Sequence, residues 1–439
     1  MKALRLLPIA MALCVATALP AHAQSLAEMY QSARAYDASF QSAQSQYDAT
    51  RARAEQSRAG TLPTVGLAMS ISLTAVDANV RVPTNTFSGQ SATVSASQPL
   101  YRPANWLTYE QGKKSAIAAQ AQLLSAEQDL VLRVSQAYFD VLAAKDAATF
   151  VVAQKTAVAE QLASAKRNFE VGTSTITDTR EAQARYDLVI AQEIAADNDL
   201  RVKRLALDQL VGIPNTDPHP LSPPVALPTL LPADVNTWVD QSAIEHPLLR
   251  QSALALEVAQ LETQKAQAGN KPTLDLNGSF ARSHNDGSSN SAANTRNNVA
   301  SVGLAFNLPL FAGYAIQNRI KETLALEEKA RADLEAGRRT VAQNTRAAYF
   351  GVLSGQGQVK ALEAAEASSQ SALDANKLGY QVGVRINIDV LNAQRQLFQT
   401  KRDLARARYD VLVNGLRLRQ ANGTLKADDL QSINALLAK

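Results

Sequence analysis

The sequence predicts an internally duplicated α+β membrane protein in which long coiled-coil helices join four β-strands per chain. Three patterns predict it: a segment that recurs at a fixed offset, two long proline-free stretches with a 3.5-residue apolar period, and four stretches of alternating apolar residues. Phe169-Glu170-Val171-Gly172, followed by Ile176-Thr177-Asp178 and Ala182-Gln183, reappears as Tyr380-Gln381-Val382-Gly383, followed by Ile388-Asp389 and Ala393-Gln394. Val171 to Val382, Gly172 to Gly383 and Asp178 to Asp389 are each separated by 211 positions. Leu62-Pro63-Thr64-Val65 likewise answers Lys271-Pro272-Thr273-Leu274, Pro99-Leu100 answers Pro309-Leu310, and Tyr138-Phe139 answers Tyr349-Phe350.

Lys2 and Arg5 precede an apolar run from Leu6 through Leu19, and Ala21-His22-Ala23 has the small residues of a signal-peptidase site. Residues 1–23 therefore read as a secretory signal peptide, with Gln24 as the mature N-terminus. The only cysteine, Cys14, lies inside that leader, and Leu13 before it is too large for a lipoprotein cleavage site. This leaves the mature chain without a disulfide, a thiolate metal ligand or a cysteine nucleophile. Removing Lys2 and Arg5 from 44 basic residues leaves 42 against 40 acidic ones, a balance that does not point to nucleic acid. Beyond the leader no apolar run reaches the roughly 18 residues of a membrane helix, so an exported chain is expected to be soluble or to cross an outer membrane as a β-barrel. Aromatic residues make up only 5% of the chain, which favours long helices packed at close range over one thick core.

The elements follow the same order twice. The first repeat, residues 24–212, opens with a helix from about Leu26 to Arg58 and continues with a hairpin over 64–100. A long helix beginning near Ala104 then runs to a tip at 169–178, and a returning helix of about 30 residues follows. Seven prolines between Ile213 and Pro232 mark a linker over 213–238, because proline breaks helix interiors and central strands. The second repeat, residues 239–424, has a helix from about Val239 to Ala268, a hairpin over 272–310, a long helix beginning near Tyr314, a tip at 380–389 and a returning helix. Residues 425–439 form a C-terminal segment.

In the hairpins Val65, Leu67, Met69, Ile71 and Leu73 alternate with small or polar residues, as do Val302, Leu304, Phe306, Leu308 and Leu310. Val94, Ala96 and Leu100, and Leu274, Leu276 and Phe280, repeat the pattern. The opposite face is Ser, Thr, Gly, Ala and Asn rather than Lys and Glu, which suits a strand between lipid and a watery lumen. Four strands cannot close a barrel, and an open edge in lipid would strand backbone groups at several kcal/mol each. Two copies would give eight strands with a filled interior, so a conducting pore needs at least three copies and twelve strands.

Each long helix spans about 65 residues, a rod of roughly 100 Å at 1.5 Å per residue. In the first, Leu130, Val134, Ala137, Val141, Ala144, Ala148, Val151, Val158, Leu162, Ala165 and Phe169 follow a coiled-coil track that only Lys155 interrupts. In the second, Val341, Ala348, Val352, Gly355, Val359, Leu362, Leu373 and Tyr380 continue it, with Glu366 at the position of Lys155. The period implies a left-handed supercoil.

Catalytic chemistry has no visible seat. His22 lies in the leader, His219 and His246 in or near the linker and His284 in a hairpin tip, without metal-ligand spacing. No nucleophile elbow, phosphate loop, dinucleotide fingerprint or CxxC element occurs, so neither an enzyme nor a cofactor is expected. The polar chemistry collects at the duplicated tips. Gly172 and Gly383 permit a tight reversal, and Asp178 and Asp389 fall near the start of the returning helices. In an oligomer Asp178, Asp389 and Arg385 would form rings of charge that set ion preference or link neighbouring hairpins; equally, the aspartates could be plain helix caps.

These motifs resemble the TolC family of outer-membrane factors over nearly the whole mature chain, about Ser25 to Leu425. Gly379-Tyr380-Gln381-Val382-Gly383-Val384-Arg385 with Asp389-Val390-Leu391 is similar to the family's gating tip, and Phe169-Glu170-Val171-Gly172 with Thr177-Asp178 to its first-repeat partner. The resemblance implies a homotrimer with a shared twelve-stranded transmembrane β-barrel continuing into a twelve-helix periplasmic α-barrel. The linker and the C-terminal segment would form an equatorial belt. It implies a passive exit duct in a Gram-negative outer membrane, set in lipid and docked to a periplasmic adaptor and an inner-membrane ABC or RND transporter. Type I protein secretion is the leading function and multidrug efflux the alternative; a periplasmic coiled-coil adaptor or rod is the reading from another class. Tyr380 and Arg385 would be inner-helix members of closed-state links, with Thr177 and Asp178 their outer-helix partners and Asp389 a lumenal carboxylate ring. Asn392 stands where the best-known member has a second aspartate. Val171, Gly172, Val382 and Gly383 would meet the adaptor.

Overall fold

The computed structural model describes residues 24–77, 86–225, 227–288 and 290–438. The expected signal peptide, residues 1–23, lies outside them. The element order is α1 (Leu26–Tyr36), α2 (Ala38–Arg58), β1 (Thr64–Ala75), β2 (Thr86–Tyr101), α3 (Pro103–Glu170), α4 (Ile176–Val211), α5 (Val235–Glu245), α6 (Pro247–Ala268), β3 (Thr273–Ser288), β4 (Ser291–Asn307), α7 (Ala315–Gln381), α8 (Asn387–Ala421) and α9 (Asp429–Asn434). These elements fall into two units. One takes the described residues up to Gln41, Ala126–His246 and the residues from Val341 on; the other takes Ser42–Ser125 and Pro247–Thr340.

Both opening helices are divided where the sequence predicts single ones. Asp37 leaves the helical conformation, and its carboxylate accepts the Phe40 N–H at 2.7 Å, restarting the chain as α2. His246 is extended because it precedes Pro247, whose ring crowds a helical backbone before it. Helix α5 also begins at Val235, inside the stretch assigned to the linker. Strand β4 ends at Asn307 rather than at 310, since Pro309 cannot donate to a ladder.

In the sheet-bearing unit the strands form one antiparallel sheet of order β1-β2-β3-β4, so β2 and β3 join the hairpins of the two repeats. Its register aligns Leu67 with Val94, Val94 with Phe280 and Phe280 with Ala300 on one face. The adjacent row on the other face runs Gly66, Ser95, Ser279 and Ser301. Hydroxyls bond across this small polar face, Ser70 to Ser91 at 2.9 Å and Ser279 to Ser301 at 2.8 Å. The apolar side is open: Ile71 is 83% and Val302 82% exposed. Arg102 closes the end of β2 against β3, donating from Nε and Nη2 to both Asp275 oxygens at 2.7 and 2.6 Å. Each strand exceeds the roughly 9–11 residues needed to cross a bilayer.

The helical unit is built on the long-period stripe. Leu130, Val134, Val141, Val151, Val158 and Ala165 are buried along α3, and Val189 of α4 joins Val151, Val158 and Leu162 in one cluster. Val359 of α7 packs with Leu404, Ala407 and Val411 of α8, and Leu373 with Val390 and Leu397. Lys155, the polar interruption, reaches Glu193 of α4 with Nζ to Oε2 at 2.6 Å, so the seam carries an ion pair there. Phe169, at the end of the stripe, is exposed. Helix α1 buries Leu26, Met29, Tyr30 and Ala33, one face at helical spacing. Trp238 of α5 packs on Tyr349, Val352 and Leu418. Short bridges tie Gln24 to Pro218 and Leu221 to Leu437.

Candidate functional site

Both helix tips close with the same backbone device. After α3, Thr173 N–H reaches Asn168 C=O at 2.8 Å and Gly172 N–H reaches Phe169 C=O at 3.0 Å; after α7, Val384 N–H reaches Gly379 C=O at 2.9 Å and Gly383 N–H reaches Tyr380 C=O at 3.2 Å. This is the Schellman pattern, which needs a left-handed residue at its second-last position. Gly172 and Gly383 supply it with φ of 78° and 81°. Around both glycines space is open, and Val171, Val382, Val384 and Ile386 stand exposed beside them.

The returning helices start differently. Thr175 caps α4: its Oγ1 accepts the Asp178 N–H at 3.2 Å, and Asp178 Oδ2 accepts the Thr175 N–H at 3.0 Å. Asp178 is therefore the third-residue partner of a capping box, in the first turn of α4, and not the cap itself. Helix α8 begins after Ile386, which offers no side-chain cap, and Asp389 lies in its first turn. Arg385 reaches Asp389 at 3.8 Å, Nη1 to Oδ2. Gly379 makes room for this, since a Cβ there would meet Arg385 Cγ at 2.6 Å. Ser368, Ser369, Asn376, Arg385, Asp389 and Asn392 line a groove of about 530 Å³ between α7 and α8.

The sequence-predicted residues are brought together only in part. Among the described residues, no hydrogen bond or ion pair within the chain joins Tyr380 or Arg385 to Thr177 or Asp178. Tyr380 instead accepts from Asn168 Nδ2 at 3.1 Å, and Thr177 is exposed. Asn392 Oδ1 accepts from Arg185 Nη2 at 3.2 Å. Sequence reasoning missed Asn168, Arg185, Gln161 and Asn387. Asn387 left a trace: it is a buried amide where the first repeat has Ile176, 211 positions earlier. No group of three or more metal-ligating side chains occurs among the described residues.

Comparison with known proteins decides what this architecture belongs to. The sequence model described as outer membrane efflux protein matches residues 29–213 and again 238–424. The chain belongs to the outer membrane efflux protein family. It is 32% identical over 434 residues to outer membrane protein TolC of Vibrio cholerae, covering 98% of each chain. It is 33% identical over 346 residues to the alkaline protease secretion protein AprF of Pseudomonas aeruginosa, covering 78% of this chain and 72% of that one. Its fold resembles the crystal structure of outer membrane protein VceC from Vibrio cholerae with a TM-score of 0.77 at 18% identity, covering 91% of this chain and 96% of that one. This efflux-family chain is accordingly an outer-membrane channel-tunnel with a large periplasmic helical part. The periplasmic rod is set aside by the same match, which places both repeats in a family of channels.

Proposed function

We propose that three copies of the chain close a twelve-stranded barrel in the outer-membrane lipid and act as the exit duct for type I protein secretion. The carrying observation is the sheet itself. It has four strands, unpaired outer edges at β1 and β4, one exposed apolar face and one face of small polar residues. Edges of this kind are stable in lipid only when each meets the edge of another copy. The duct moves its cargo without a catalytic step. An inner-membrane transporter, of ABC or RND type, and a periplasmic adaptor would supply energy and docking, with the adaptor meeting Val171, Gly172, Val382 and Gly383.

At the periplasmic end, Tyr380 and Arg385 would link to Thr177 and Asp178 of a neighbouring copy, because the single chain leaves these pairs unmade. Asp389 would contribute one carboxylate ring, and the neutral Asn392 would add none. Secretion is favoured over drug efflux by the kinship with AprF, named for alkaline protease secretion. Efflux is the second reading, favoured by the 26% identity over 313 residues to the outer membrane efflux protein BepC of Brucella suis. The mature chain has no cysteine, so single cysteines at Val171 and Val382 can be crosslinked in cells. Crosslinks to the adaptor of a protein-secreting ABC transporter support secretion; crosslinks only to an efflux adaptor support the second reading.

A further inference from the structure

Asn387 is fully buried, at 0% exposure, in the first turn of α8. A side-chain amide that leaves water must satisfy its donors and acceptor inside the protein. Its oxygen and its nitrogen each find a partner, on two other elements. Its Oδ1 accepts from Gln161 Nε2 of α3, and its Nδ2 donates to the Asp178 backbone carbonyl of α4 at 3.2 Å. Five residues on, Asn392 takes a bond from Arg185 of α4. The start of α8 thus has no cap of its own but is fastened sideways to both helices of the first-repeat hairpin.

We propose that Asn387 is an intraprotomer latch that positions the α7–α8 tip against α3 and α4, and that the tip cannot swing until this amide is released. The proposal rests on the reading of the tips as a gate. Its physical basis is that the Asn387 amide is itself enclosed, although Gln161 and Asp178 are half-buried. Moving α8 strips both from the amide before water can replace them, and an unsatisfied buried polar group is costly. Because Nδ2 holds the carbonyl of Asp178, the residue that also closes the α4 capping box, motion of α8 loads the start of α4 directly. Arg185 to Asn392 is a second rung, in which neither side chain is fully buried.

The test is single-channel recording of the full-length protein in planar bilayers, with thermal stability measured beside it. Asn387→Leu, which keeps volume and removes the bonds, should raise the open fraction about tenfold. Gln161→Leu should act in the same direction, and the double variant should gain little beyond the larger single effect, because both break one shared contact. A merely structural residue would instead lower the unfolding temperature with no change in open fraction. If Asn387→Leu fails to assemble, Gln161→Leu carries the test alone. Unchanged open fractions in the latch variants, with Tyr380→Phe and Arg385→Ser still opening the channel, would overturn the latch and leave the gate standing. No effect from any of the four would overturn both.

Discussion

Asn168 donates from Nδ2 to the Tyr380 hydroxyl at 3.1 Å, joining the last turn of α3 to the last turn of α7. The two residues are one step away from being repeat mates: Asn168 answers Gly379, and Tyr380 answers Phe169, at the common offset of 211. The bond exists because the two copies have diverged, one gaining an amide and the other a hydroxyl. Removing the hydroxyl in Tyr380→Phe should cost about 1 kcal/mol of closed-state preference, roughly a fivefold rise in open fraction. Recordings at fixed salt and voltage would check it.

The reversing glycines predict a symmetrical effect. Gly172→Ala and Gly383→Ala each force a Cβ into the left-handed region, at about 1–2 kcal/mol. Beyond the adjacent residues no atom lies within 4 Å of either new Cβ, so the penalty is conformational only and should be alike in both repeats. Matched drops in thermal midpoint would be seen by calorimetry; a much larger loss at one tip would reveal a contact that the single chain lacks.

The sheet predicts a depth-dependent insertion defect. Val302 stands on the exposed apolar face of β4, well inside the strand. Val302→Lys should therefore cost about 2–4 kcal/mol in the bilayer and lower the yield of membrane-inserted protein. Val302→Leu should not. Ser301→Ala, on the opposite face, removes one cross-strand hydroxyl bond and should leave insertion near normal.

Asp146 predicts a pH dependence in the helical unit. Burial pushes its carboxyl above the ordinary carboxylate range, although the Tyr409 hydroxyl, 2.7 Å from Oδ2, pulls the other way. The folded chain then keeps a proton at pH values where the unfolded chain has released it. Its contribution is fully present below the unfolded value and is lost as pH rises through the raised one. Asp146→Asn, which cannot ionise, should be relatively more stable than the native protein near neutral pH, and the difference should vanish in acid. Unfolding midpoints measured from about pH 2.5 to pH 8 would show the two curves converge at the acid end.

Much of the fold was legible because it is local and repetitive. The four strands could be read from alternation at Val65 to Leu73 and Val302 to Phe306, and the rods from the stripe through Leu130, Val141 and Val158, because apolar residues recur with the period of the element. The breaks at Asp37 and His246 were less visible. Asp37 acts through one capping bond to Phe40, and Pro247 acts through the crowding of its ring on the single residue before it. At the tips, the glycine reversals and the aspartates could be read from the repeat. The bonds Asn168–Tyr380, Gln161–Asn387 and Arg185–Asn392 could not, since each joins residues more than 200 positions apart, and a pattern within one element carries no record of its partner. Lys155 was visible as a break in the stripe, but its meaning came only with Glu193 on the next helix.

In the proposed trans-envelope pore, Tyr380 and Arg385 hold the tips closed. Single-channel conductance in planar bilayers tests it most directly, comparing native protein with the Tyr380→Phe, Arg385→Ser double variant. Native protein should show small, mostly closed openings, and the variant a several-fold larger, sustained conductance. Purified protein that forms no pores in either state would contradict it.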